Sequence, residues 1–133
     1  MARVLVVDDE VGVRSGVCRF LRRSGHEVME ASGGAEALRQ AYGQALDLVI
    51  TDINMPDVDG IEVIMALARE RPGLPIIAIS GGGLMPKDLL LSSAGLLGAV
   101  HTVAKPFVLE DLRRVVDAVL AGQRWSGATE IQG

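Results

Sequence analysis

Five short apolar runs punctuate this chain: Arg3–Val7, Glu27–Ala31, Leu48–Thr51, Ile76–Ile79 and Val100–Val103. The first, third and fourth are apolar at nearly every position. Such runs suit strands covered on both faces, as in a parallel sheet. The second, Glu-Val-Met-Glu-Ala, alternates polar and apolar residues, which predicts an edge strand. Helical spacing predicts helices over Val11–Ser24, Ala35–Tyr42, Ile61–Arg71, Pro86–Ala94 and Leu109–Ala121. Val13, Val17 and Phe20 share one face of the first, and Leu112, Val115, Val116 and Val119 one face of the last. Ser24-Gly25 and Pro72-Gly73 supply stop signals. Regular alternation of strand and helix predicts right-handed crossovers and an α/β, doubly wound sheet. Sites in such sheets form outside the carboxyl ends of the strands.

Composition narrows the picture. A length of 133 residues suits one domain. Hydrophobic residues make up 49% but aromatics only 3%, so aliphatic side chains must fill the core. A net charge of -4 and a pI near 5.1 argue against general nucleic-acid binding. Cys18 is the sole cysteine, which excludes an internal disulfide and a cysteine-pair metal site; it reads as a packing residue. His26 reads as a solvated turn residue and His101 as a surface or interface residue, and neither has metal-ligand spacing. The sequence shows no signal-peptide pattern and no apolar stretch of membrane-spanning length, so a cytoplasmic protein without membrane contact is expected.

The strand ends carry the chemistry. Asp8-Asp9 follow the first run, Asp52 the third, Ser80 the fourth and Lys105 the fifth. Carboxylates gathered at one sheet edge repel each other strongly, and a divalent cation with a lysine would neutralise them. That requirement points to magnesium-assisted phosphoryl chemistry. Taken singly, each residue has a plainer reading. Asp52 alone suits a turn. Asp8-Asp9 suit a helix N-cap and first turn. Asp59-Gly60 suit a turn and helix start, and Lys105 suits a solvated surface.

Taken together, Val-Asp8-Asp9-Glu, Asp52-Ile-Asn54-Met-Pro56-Asp-Val-Asp59-Gly60, Ile-Ser80-Gly and Lys105-Pro106-Phe107 resemble the receiver domain of two-component response regulators. The resemblance covers roughly residues 2–121. It implies a flavodoxin-like, five-stranded parallel sheet of order 2-1-3-4-5 with five helices, over residues 1–121, followed by a short tail, 122–133. It implies that Asp52 is the phosphoacceptor for a phosphohistidine carried by a histidine kinase or histidine phosphotransfer protein. Mg²⁺ would be held by Asp9, Asp52 and the backbone carbonyl of Asn54, with Asp8 acting largely through water. Lys105 would pair with the acceptor carboxylate and then the phosphoryl group, and Ser80 would bond a phosphoryl oxygen. Pro106, after a cis bond, and Gly60 would be structural. The implied output is a conformational change read by a downstream protein, with autodephosphorylation but no turnover of an external substrate.

Three features depart from the family pattern. Gly81-Gly82-Gly83 enrich the loop after Ser80 in glycine. Thr102 stands where the family often has Tyr or Phe, so the aromatic partner of the switch is missing. Leu89-Leu90-Leu91 span too much of a helix to face one sheet, which makes the fourth helix, fifth strand and fifth helix the candidate surface for a homodimer or target, with a merely well-packed helix as the alternative. No DNA binding by this chain alone is expected. Met1 and the short tail favour a stand-alone receiver, with a fragment of a longer regulator or hybrid kinase as the alternative. A flavodoxin-like module for a small ligand is a further alternative, disfavoured because Asp-Asp-Glu after the first strand repels phosphate. A small-molecule phosphatase is disfavoured because Asp52 follows the third strand rather than the first.

Overall fold

The computed structural model describes residues 2–53, 60–80 and 100–122. Its elements are β1 (Arg3–Val7), α1 (Val11–Arg23), β2 (Glu27–Ala31), α2 (Gly34–Ala41), β3 (Leu48–Asp52), α3 (Gly60–Glu70), β4 (Ile76–Ser80), β5 (Val100–Ala104) and α4 (Leu109–Leu120). Five helices were expected and four lie among the described residues. The expected helix over Pro86–Ala94, with Leu89–Leu91, falls outside them, as do Gly81–Gly83 and the tail from residue 123.

The five strands pair in the order β2-β1-β3-β4-β5, all parallel. Alternation along each strand divides the core into two layers. Val4 and Val6 of β1, Ile50 of β3, and Ile77 and Ile79 of β4 face α1 and α4. Leu5 and Val7, Val49, and Ile76 and Ala78 face α2 and α3. This explains the uninterrupted apolar runs: every position meets a helix layer on one side or the other. Alternating β2 lies at the sheet edge with only Ala31 fully buried, as its pattern predicts.

The helices bury the stripes their spacing defines. Val17, Cys18 and Leu21 of α1 are buried, as are Leu112, Val115, Val116 and Val119 of α4. Burial holds the Cys18 thiol up at about 11, consistent with a packing role. Gly25 ends α1 with φ 95°, a conformation other residues rarely adopt. His26 departs from its expected solvated setting. It is half-buried, and its Nδ1 accepts a hydrogen bond from the Ala2 N–H at 3.2 Å.

Candidate functional site at the carboxyl edge of the sheet

Parallel pairing brings the ends of β1, β3, β4 and β5 to one edge. Leaving β1, the Asp8 N–H donates to the Ala31 carbonyl at 3.1 Å, so β2 still holds the chain there. Asp8 Oδ1 accepts from the Glu10 N–H at 2.9 Å, an Asx-type turn that fixes its carboxylate. Arg14 donates from Nη1 to the Asp8 carbonyl at 2.8 Å and from Nε to Glu30 at 3.2 Å, tying the start of α1 to β2. Glu10 is the N-cap residue of α1, but no side chain caps that helix. The plainer reading of Asp8-Asp9 as a cap is therefore set aside.

Asp52 ends β3 and is only 3% exposed. Thr51 Oγ1 donates to its carbonyl at 3.0 Å. The following Ile53 is anchored twice: its N–H donates to the Ile79 carbonyl at 3.0 Å, and its carbonyl accepts from the Gly60 N–H at 2.9 Å. That second contact draws the start of α3 onto the strand end. A methyl group on Gly60 would lie 2.6 Å from Ile53 Cα and 2.9 Å from the Asp52 carbonyl carbon. Glycine is needed there for space.

Lys105 follows β5 and precedes a cis bond to Pro106. Its ammonium crosses the sheet edge to carboxylates from the ends of two other strands. Nζ lies 3.2 Å from Asp52 Oδ2, 3.3 Å from Asp8 Oδ2 and 2.8 Å from Glu10 Oε1. Burial by itself disfavours the ammonium, but the Glu10 hydrogen bond and the charges of Asp52 and Asp8 outweigh it and raise the Lys105 pKa. Asp8 is raised too, chiefly by burial and further by the Asp52 charge; the Glu10 N–H and Lys105 only partly offset this. The cluster therefore favours the lysine charge and disfavours the Asp8 charge: Glu10, Asp52 and Asp8 together outweigh the desolvation of Lys105, whereas Lys105 and the Glu10 N–H do not outweigh burial and the Asp52 charge at Asp8.

Asp8, Glu10 and Asp52 present carboxylate oxygens all within 4.8 Å of one another. Asp8 Oδ2 is buried and makes no hydrogen bond among the described residues, although the Lys105 charge is near. Converging hard oxygens with an unsatisfied buried acceptor fit a divalent cation such as Mg²⁺. Asp9, expected as a ligand, is exposed and stands outside this group of three. Glu10 stands inside it and was not singled out from the sequence. No local pattern marks it, because the chain bends at Asp9 and only the turn from β1 into α1 brings Glu10 beside Asp8.

Of the other expected residues, Ser80 ends β4 in register with Ala104. Thr102 is half-buried, paired in register with Ala78, on the α2–α3 side of the sheet. Asn54, Pro56 and Asp59 lie outside the described residues. His101 is half-buried within β5, and burial lowers its pKa.

Comparison with known proteins agrees with this architecture. The response regulator receiver domain family matches residues 4–117. The chain belongs to that family. It is 42% identical over 128 residues to the transcriptional regulatory protein PrrA of Mycobacterium tuberculosis, covering 96% of this chain and 53% of PrrA. It is 36% identical over 120 residues to the alkaline phosphatase synthesis transcriptional regulatory protein PhoP of Bacillus subtilis, covering 89% of this chain and 48% of PhoP. The chain thus spans about half the length of these relatives. The chemotaxis protein CheY4 of Vibrio cholerae superposes with a TM-score of 0.80 at 32% identity, covering 90% of this chain and 98% of CheY4. No helix among the described residues is long and apolar enough to cross a membrane.

Proposed function

We propose that this receiver accepts a phosphoryl group on Asp52 from the phosphohistidine of a histidine kinase or histidine phosphotransfer protein. The observation that carries the reading is the Lys105 ammonium lying between the nearly buried Asp52 and Asp8 carboxylates. An Asp52 oxygen attacks phosphorus as the N–P bond breaks, and the leaving imidazole keeps the bonding electron pair. Charge spreads over the equatorial oxygens during such a transfer, so fixed positive charge and positioning supply the catalysis. Lys105 is held within reach before the phosphoryl group arrives, which limits reorganisation.

Asp8, Asp9, Asp52 and the Asn54 carbonyl would hold Mg²⁺. When bound, the ion supplies charge neutralisation for the phosphoryl oxygens. Ser80 accepts its role from family resemblance, bonding a phosphoryl oxygen after transfer. With Thr102 in place of an aromatic, the resulting change proceeds without a ring swinging inward at β5. A protein target or second copy reads it on the surface that includes β5 and α4.

The receiver acts in the cytoplasm as a signalling module without turnover of an external substrate, and it does not bind DNA alone. A second reading makes it part of a longer regulator. The 42% identity to PrrA over about half of that transcriptional regulator favours this. Acetyl phosphate with Mg²⁺ tests the central claim. Intact mass and peptide mapping should find one phosphoryl group at Asp52, absent from Asp52→Asn. Modification at another residue, or none with several donors, would refute it.

A further inference from the structure

The shortest contact of the site lysine is to neither buried aspartate. Lys105 Nζ lies 2.8 Å from Glu10 Oε1, against 3.2 Å to Asp52 and 3.3 Å to Asp8. Glu10 is held at its backbone by the Asp8 carboxylate, while its side chain is 61% exposed at the mouth of the site. The lysine is therefore shared between the depth of the site and its rim.

We infer that Glu10 is a latch on Lys105, a positioning residue that competes for the ammonium in the unphosphorylated receiver and sets how readily Asp52 is phosphorylated. The inference rests on the phosphoacceptor reading above. Its physical content is a competition between hydrogen-bond acceptors. An ammonium bonded to Glu10 must leave that carboxylate, wholly or in part, to follow charge developing on a phosphoryl group at Asp52. A charge-assisted bond to an exposed carboxylate is strong enough to matter and weak enough to break. Reach is the deciding variable. A side chain one methylene shorter keeps the negative charge at the rim but loses the contact.

Two variants separate contact from charge. Glu10→Asp keeps the charge and withdraws it, whereas Glu10→Gln keeps the length and removes the charge. Both should phosphorylate faster than wild type with acetyl phosphate and Mg²⁺, by about 1.5- to fivefold, the range expected for losing one exposed charge-assisted bond. The acceleration in both variants should shrink in high salt, because the exposed Glu10–Lys105 pair of wild type is itself screened there.

A second measurement needs neither phosphate nor metal. Lys87 and Lys105 are the only lysines, so lysine-selective ¹³C labelling gives two side-chain spin systems. Both variants should shift the Lys105 side-chain resonances and leave those of Lys87 in place. Unchanged or slower phosphorylation in Glu10→Asp would overturn the latch, as would acceleration in Glu10→Gln alone. Unmoved Lys105 resonances would also overturn it. If wild type takes no phosphoryl group at Asp52, the phosphoacceptor reading fails instead, and the lysine spectra still decide the contact.

Discussion

Replacing Lys105 with Met keeps most of the side chain and removes the charge that joins three strand ends. Coulomb's law with an effective dielectric of about 20 gives roughly 5 kcal/mol for a unit pair at the separations seen here, 3.2 Å to Asp52 and 3.3 Å to Asp8. Desolvation returns much of that. Breaking a buried pair by removing one partner costs about 3–5 kcal/mol, because the other charge is left uncompensated. The aspartate side chains are 2% and 4% exposed, but Lys105 keeps 14%, so the lower end applies, about 3 kcal/mol. The exposed Glu10 contact adds little.

The pH dependence has a definite sign. The folded Lys105 pKa is raised, so its stabilisation is fully present below about 10.5 and is lost as pH climbs through the folded value. Asp8 is also raised, so its charge costs stability at neutral pH, and that cost disappears as pH falls through its folded value. In metal-free buffer at pH 7, Lys105→Met should lower the urea midpoint by roughly 1–3 M, taking an m-value of about 1–3 kcal/mol/M, with the slope unchanged. The deficit should narrow on acidification. It should also be smaller in an Asp8→Asn background, where only one buried carboxylate awaits a partner. A loss under about 1 kcal/mol, well below the usual cost of breaking such a pair, would refute the reasoning. So would a deficit indifferent to both acid and Asp8→Asn.

Three further outcomes follow from other parts of the site. Gly60→Ala should cost about 2–3 kcal/mol by overpacking the backbone at Ile53 and should slow Asp52 phosphorylation, both readable by unfolding and by mass. Mg²⁺ should raise the melting temperature of wild type by ligand linkage and do so less in Asp9→Ala; equal shifts would remove Asp9 from the proposed ligands. Because burial depresses His101, stability should fall as pH drops below 6.5 toward its folded value, where the unfolded chain takes up a proton first. Subtracting the His101→Gln profile from wild type between pH 7.5 and 5 isolates that slope, and a flat difference would contradict it.

Much of this architecture was legible because its determinants are local. Continuous apolar runs identified strands covered twice, and alternation in Glu27–Ala31 identified an edge strand. Ser24-Gly25 and Pro72-Gly73 placed helix ends to within a residue. Asp8, Asp52 and Lys105 could be assigned to strand ends, hence to one edge, because parallel strands send all their carboxyl ends the same way.

The tertiary structure alone decided which of these side chains meet. Lys105 and Glu10 are 95 residues apart, and no local pattern links them. Nor does one say that Asp9 faces outward while Asp8 is buried. That depends on how the chain leaves β1 against β2 and turns into α1. The need for glycine at residue 60 is of the same kind. It reads from sequence as a turn residue, yet its cause is the Asp52–Ile53 backbone pressed against it from the neighbouring strand end. Periodicity is written along the chain and can be read there. Contact between distant charges exists only once the sheet has set the distance between them.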